Sequence, residues 1–347
     1  MTGTRIRFEA GQAAQGAALA RIAQHVGDVL DADVTGALRG CTRPLFVGIG
    51  ASFAALAVPV QLLRDRGVVS QRLLADELRG DARGIDADVV VAVSQGGRST
   101  ETLAALADLT VPRVALVNVN PSPLTELAEM TVDLGNEPDS YASTVGFTGT
   151  VVALERIAAA IAGVQDDPWG DIEARVAAVQ EQARPVLAAL APRAATAVAA
   201  DVVAQGASRA SAEGAALLLR EVARMPASAS VTRNYLHGEM ESAGGTLHVV
   251  LGDDREVALA RSLAGAGHTT LLLTTADVPA EGDLHVLQLP HVPAAVRVVL
   301  EVVVMQVLAA ALAAERGLEI ESFVFANDDT KQGGVDAADF LIAPRPL

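Results

Sequence analysis

An apolar run, Val90-Val91-Ala92-Val93, passes directly into Ser94-Gln95-Gly96-Gly97-Arg98-Ser99-Thr100 before a helical pattern opens at Glu101-Thr102-Leu103. Glycine lets backbone N–H groups turn toward a bound anion, Ser and Thr add hydroxyl donors, and a helix N-terminus carries partial positive charge. The loop therefore has the chemistry of a phosphate cradle. It has no lysine of the kind a nucleotide P-loop uses, so the anion it suits is a sugar monoester held by hydrogen bonds, not a metal-bound triphosphate.

The elements that must hold this loop repeat. Gly50-Ala51-Ser52, after an apolar strand, recurs as Gly206-Ala207-Ser208, 156 residues on. At nearly the same offset Val91-Ala92-Val93-Ser94 matches Val249-Val250-Leu251-Gly252, and Arg113-Val114-Ala115-Leu116 matches Thr269-Thr270-Leu271-Leu272. Three matches in one order predict two copies of one α/β unit. In the first copy strands are expected at Leu45–Gly50, Arg72–Ala75, Val89–Ser94, Val114–Val119 and Thr131–Leu134, with helices at Phe53–Arg64, Thr102–Leu109 and Thr148–Ala162. The second copy is expected to carry a strand at Ala199–Val203 and a terminal helix at Ala294–Arg316. Continuous Val/Leu runs alternating with helices predict parallel strands covered on both faces, with ligands at their carboxyl ends. Gln165-Asp166-Asp167-Pro168-Trp169-Gly170 reads as the linker, giving domains 1–165 and 171–347. In the second copy the cradle is replaced by Gly252-Asp253-Asp254-Arg255-Glu256, whose carboxylates repel phosphate, so only the first copy is expected to bind an anion.

Composition sets the limits. With 347 residues there is room for two domains, and 51% apolar residues with only 3% aromatic ones mean that Ala, Val and Leu must build both cores. A net charge of −16 argues against nucleic acid and anionic lipid as partners. The single cysteine, Cys41, permits no internal disulfide, and the six histidines form no ligand cluster; no metal or cofactor is expected, and a reducing cytoplasm is. Met1 to Glu9 carries no apolar signal core, and the longest apolar stretch, Ala294 to Ala314, is interrupted by Arg297, Glu301 and Gln306, so no membrane span is expected.

The loops resemble those of the sugar isomerase (SIS) domain superfamily, and their doubled arrangement resembles the isomerase half of glucosamine-6-phosphate synthases and stand-alone relatives. Gly48-Ile49-Gly50-Ala51-Ser52 is similar to that family's Gly-x-Gly-Thr/Ala-Ser turn, Ser94-Gln95-Gly96-Gly97-Arg98-Ser99 to its Ser-Gln-Ser-Gly-Glu-Thr loop, and Ala142-Ser143-Thr144-Val145-Gly146-Phe147-Thr148 to its Ala-Ser-Thr-Lys-x-Phe-Thr segment. Gly96 stands where the family usually has Ser, and Ser99 where it has Thr. The resemblance implies two tandem αβα sandwiches with mostly parallel sheets. It also implies a sugar phosphate surrounded by Ser52, Ser94, Gln95, Gly96, Gly97, Ser99 and Ser143.

The same resemblance implies the proton-transfer groups. Ser211 to Glu221 is similar to the synthase segment that ends in a proton-moving glutamate, and Leu236-His237-Gly238 follows at the spacing of the ring-opening His-Gly. Imidazole, titrating near ~6.5 when unperturbed, suits the shuttling of a ring hydroxyl proton, and one carboxylate over the C1/C2 face can accept and return a carbon-bound proton. As plain alternatives, Glu221 is a solvated carboxylate or one paired with Arg220 or Arg224, and His237 a loop histidine. Glu241, one turn beyond His237 if the segment is helical, is placed to orient it. Lys331, the chain's one lysine, lies where the family has an imine-forming lysine; the alternative is a solvated tail residue.

These readings converge on an amino-sugar 6-phosphate isomerase-deaminase, with an aldose-ketose isomerase and a sugar-amine-6-phosphate deglycase as alternatives. No glutaminase segment is expected within this chain. From other classes, a non-catalytic phosphosugar sensor remains open, while a nucleotide-cofactor oxidoreductase is disfavoured because Gly48-x-Gly50 is followed by Phe53 where the fingerprint needs its third glycine. The family resemblance implies a homodimer.

Overall fold

The computed structural model describes residues 3–78, 86–107, 109–336 and 340–343. Asp108, inside the expected Thr102–Leu109 helix, lies outside them. By internal contacts the chain divides into two units, Met1–Glu173 with Glu321–Leu347, and Ala174–Ile320.

Unit 1 opens with helices α1 (Phe8–Val29) and α2 (Ala32–Leu38), then β1 (Pro44–Gly48), α3 (Ala51–Ala55), α4 (Ala57–Arg64), β2 (Gln71–Leu74) and β3 (Val89–Val93). It continues with α5 (Thr100–Ala107), β4 (Arg113–Val117), α6 (Pro123–Glu126), β5 (Met130–Asp133) and α7 (Val145–Ala162). Among the described residues its sheet has five strands in the order β2-β1-β3-β4-β5, every pairing parallel. β1 and β3 are buried along their whole length, as their uninterrupted apolar runs require. The expected single helix from Phe53 to Arg64 is instead two, broken at Leu56. Pro59 explains the break, since its ring excludes the carbonyl four residues back and it has no N–H to donate.

Helix α8 (Ile172–Ala194) leads to unit 2, which contains β6 (Ala199–Ala204), α9 (Arg209–Glu221), β7 (Ala227–Val231), α10 (Thr232–Tyr235) and β8 (Thr246–Leu251). Then follow α11 (Arg255–Gly265), β9 (Thr270–Thr274), β10 (Leu284–Gln288) and α12 (Ala294–Glu315). The sheet order is β10-β9-β8-β6-β7, again parallel throughout. Matched strand for strand along the chain, this is the order of unit 1, so the sequence repeat is a repeat of topology. α7 and α12 are long and apolar enough to cross a membrane, and both are largely buried within their own units. Arg297, Glu301 and Gln306 of α12 are accommodated there by internal polar contacts, with Glu301 accepting from Arg297 at 2.8 Å.

Two boundaries differ from expectation. The segment read as a linker is packed: Trp169 is buried and its indole N–H donates to Glu155 at 2.9 Å, so unit 1 runs to Glu173. The tail, expected with the second domain, joins unit 1, where Glu321 accepts the N–H of Phe8 at 2.7 Å and closes the exposed end of α1.

Candidate functional site

In a sheet of order 2-1-3-4-5 the crossovers leave β1 and β3 in opposite directions, opening a crevice at their carboxyl ends. The loops after β1 and β3 both end there. After β3, Gly97 turns back so that its N–H donates to the Ser94 carbonyl at 2.9 Å, and the Gln95 carbonyl accepts from Asn118 and Val119 at 2.8 and 3.0 Å. Gly97 has φ +61°, and a Cβ there would lie 2.0 Å from the Ser122 hydroxyl, so the turn requires glycine. Ser94 and Ser99 place their hydroxyl oxygens 3.0 Å apart.

Ser52, Ser94, Gln95, Gly96 and Ser99 line one cleft of about 240 Å³, with Arg5, Arg98, Asn118, Asp139, Tyr141 and Lys331 completing much of its wall. Among the described residues the Ser52 hydroxyl and the Gly96 N–H donate to no protein acceptor. Space beside the Gly96 α-carbon is open. Gly97 and Ser143 do not line the cleft; they hold its wall from behind.

Ser143 does so through Asp139, a residue the sequence reading missed. Gln95 Nε2 donates to Asp139 Oδ2 at 2.5 Å and the Ser143 hydroxyl to the same oxygen at 2.7 Å, while the backbone and hydroxyl of Thr144 donate to Oδ1 at 2.9 and 3.0 Å. Four donors thus satisfy one carboxylate at the start of α7. Ser143 Oγ also accepts from Phe147 N–H at 2.8 Å, capping that helix and starting it three residues before the expected Thr148. Two of the expected phosphate ligands, Gln95 and Ser143, are therefore committed to Asp139. The available signal was a carboxylate four residues before Ser143, which reads equally as a turn residue.

Lys331 reaches the cleft because the tail pairs with the cradle loop. It forms an antiparallel bridge with Ser99, Gln332 N–H donates to the Arg98 carbonyl at 2.8 Å, and the Arg98 guanidinium donates to the carbonyls of Gln332 and Gly334. Lys331 Nζ lies 5.4 Å and Arg5 Cζ 5.5 Å from the Tyr141 ring centre, and Tyr141 meets Phe323 edge-to-face and Phe340 at a tilt. Cations held on an aromatic face keep positive charge at the cleft in a chain of strongly negative net charge.

Unit 2 fills the corresponding crevice with its own side chains. Asp253 pairs with Arg297 and accepts from Thr274 and Thr275; against the upward push of burial these contacts hold its carboxyl at about 2. Buried Glu301 accepts from Ser208 at 2.9 Å and Ser211 at 2.6 Å, so the serine matching Ser52 is already occupied.

Glu221, His237 and Glu241 all belong to unit 2. Glu221 is the last residue of α9, and burial raises its carboxyl to about 7; among the described residues no arginine offsets it, which argues against the ion-pair alternative. Arg220 instead donates to the Ala227 carbonyl at 2.8 Å. His237 and Glu241 are exposed in the segment after α10, where a 3₁₀ turn, Glu239–Ser242, replaces the helix on which Glu241 would orient the imidazole; no hydrogen bond joins the two.

No family model and no curated protein sequence matches the chain. Solved structures do. The C-terminal domain of glucosamine-fructose-6-phosphate aminotransferase from Francisella tularensis aligns with 90% of this chain and 97% of its own at TM-score 0.79 and 17% identity. Glucosamine-6-phosphate deaminase from Thermotoga maritima aligns with 87% of this chain and 95% of its own at TM-score 0.70 and 17% identity. Tagatose-6-phosphate ketose/aldose isomerase from Escherichia coli aligns with 89% and 93% at TM-score 0.69 and 14% identity. The chain has the fold of these proteins, two tandem αβα sandwiches, each about a parallel sheet.

Proposed function

We propose that the protein binds an amino-sugar 6-phosphate at the unit 1 cleft and converts it, by ring opening and proton transfer between C1 and C2, to a ketose phosphate and ammonia. The observation that carries this reading is the convergence of Ser52, Ser94, Gly96, Ser99 and Lys331 on one crevice at the β1/β3 crossover. Three hydroxyls and a backbone N–H match the oxygens of a monoester, and the cations balance its charge. The fold neighbours support the class, since two of them are named as a glucosamine-6-phosphate deaminase and a tagatose-6-phosphate ketose/aldose isomerase.

In this reading His237 takes the C1 hydroxyl proton and returns one to the ring oxygen, opening the ring. Glu221 then removes the C2 proton and delivers it to C1 while a proton passes from the C2 amine to the C1 oxygen, turning the 2-amino aldose into a C2 imine. A carboxyl held near 7 is populated in both the accepting and the donating form at neutral pH. The Lys331 ammonium gives a proton to the imine nitrogen, its freed amine attacks C2 and ammonia departs; water then adds to C2, Lys331 is released and the ketose remains.

The test is a thermal-shift panel of hexose and hexosamine 6-phosphates, followed by ammonia and ketose assays on the stabilising compounds, with Glu221→Gln and His237→Ala alongside. The reading predicts equal amounts of ammonia and ketose phosphate, with each variant slowed by about 10²-fold or more. Ketose without ammonia identifies an aldose-ketose isomerase. Amine released from a sugar-amine 6-phosphate identifies a deglycase. Stabilisation without any product identifies a sensor.

A further inference from the structure

Beneath the segment that carries His237, unit 2 buries a chain of polar side chains that the proposed reaction does not use. The Tyr235 hydroxyl donates to Asp201 Oδ2 at 3.0 Å and lies 3.0 Å from His248 Nδ1, and His248 Nε2 lies 2.9 Å from the Thr246 hydroxyl. Tyr235 and His248 are fully buried. A carboxylate accepts only, so the single tyrosine hydrogen points to Asp201 and the tyrosine oxygen must accept from His248 Nδ1–H. In a neutral imidazole Nε2 is then an acceptor, which makes Thr246 the donor, and the Thr246 oxygen in turn accepts from Gly244 N–H at 3.3 Å. With the ring neutral, every direction in the chain is determined. Burial lowers the His248 pKa in that sense, with neighbouring His268 adding to the effect and Asp201 opposing it.

The placement in sequence gives the chain its meaning. Tyr235 is the last residue of α10, and Gly244 and Thr246 flank the start of β8, so the hydrogen bonds join the entry and the exit of residues 236–245. Between those ends His237, Glu239 and Glu241 are exposed, whereas Leu236, Met240 and Ala243 pack on the apolar cluster that contains Tyr235.

We propose that Asp201, Tyr235, His248 and Thr246 form a clamp that closes residues 236–245 at both ends and so positions His237. They are positioning residues, and the role rests on the reading of His237 given above. Without the clamp the segment keeps its apolar footing but loses its fixed ends, and the imidazole samples a wider range of orientations.

Backbone hydrogen exchange is measured on the full chain for wild type, Tyr235→Phe, Thr246→Val and Thr246→Ser, together with kcat and KM for the substrate found in the panel. The two link-breaking variants attack opposite ends, so one remains informative if the other fails to fold. Exchange in 236–245 is expected to rise about tenfold in Tyr235→Phe and Thr246→Val, with β6, β8 and β9 unchanged and Thr246→Ser restored. kcat is expected to fall about tenfold while KM stays within about twofold, because orientation of an acid-base group is felt in the chemical step. Faster exchange with unchanged kcat overturns the positioning role, and equal exchange in all proteins overturns the clamp. A wild type without turnover on any compound defeats the reading of His237 itself, a result the exchange data keep separate from the clamp.

Discussion

Glu221 shows how the surroundings of one side chain set its charge. Burial without a partner lifts its carboxyl from an ordinary 4.5 to about 7. A group whose folded pKa lies above its unfolded one lowers stability as pH rises between the two values, because the unfolded chain releases its proton first; above the higher value the loss is complete. Wild-type protein is therefore expected to lose about 3 kcal/mol of unfolding free energy between about pH 4.5 and pH 7 relative to Glu221→Gln. Denaturant titrations of both proteins across that range check this, and parallel pH profiles would show that the carboxyl is not raised. At the same scale Asp139 holds Gln95 and Ser143 in place, and Ser52, Ser94, Gly96 and Ser99 line the cleft that the proposed anion would enter.

The elements make these placements possible, and α7 approaches the cradle loop closely. A Cβ on Gly146 would lie 2.1 Å from Gln95 Nε2 and 2.4 Å from Asp139 Oδ2, and neither can retreat without breaking their bond. Gly146→Ala is expected to destabilise unit 1 by about 1–3 kcal/mol and to weaken phosphosugar binding, both measured by denaturation and calorimetry. Much at this scale was legible beforehand. The strands were, because buried parallel strands are written as unbroken Val and Leu runs, and so was the cradle, because its glycines and hydroxyls sit between a strand and a helix. The break at Leu56 was overlooked although Pro59 encodes it. The fixing of Asp139 by Gln95 and the pairing of Lys331 with Ser99 left no local trace, since each joins residues far apart in the chain and is decided by packing. Glu221 could be picked out only by resemblance, as nothing in its neighbours along the chain announces its burial.

Across the whole molecule the two units share a topology and have parted in chemistry. Unit 1 keeps an open crevice lined with donors, while unit 2 has closed its own around Asp253, Arg297 and Glu301, an internal salt bridge where a ligand would lie. The same scaffold occurs twice, and the account places an anion at the strand ends of unit 1 only. The most direct measurement is a crystal structure of the protein soaked with a hexosamine 6-phosphate. The account predicts one phosphate per chain, within hydrogen-bond distance of Ser52, Ser94, Ser99 and the Gly96 N–H. Phosphate lodged in the unit 2 crevice, or a unit 1 cleft left empty while the ligand binds elsewhere, would contradict it.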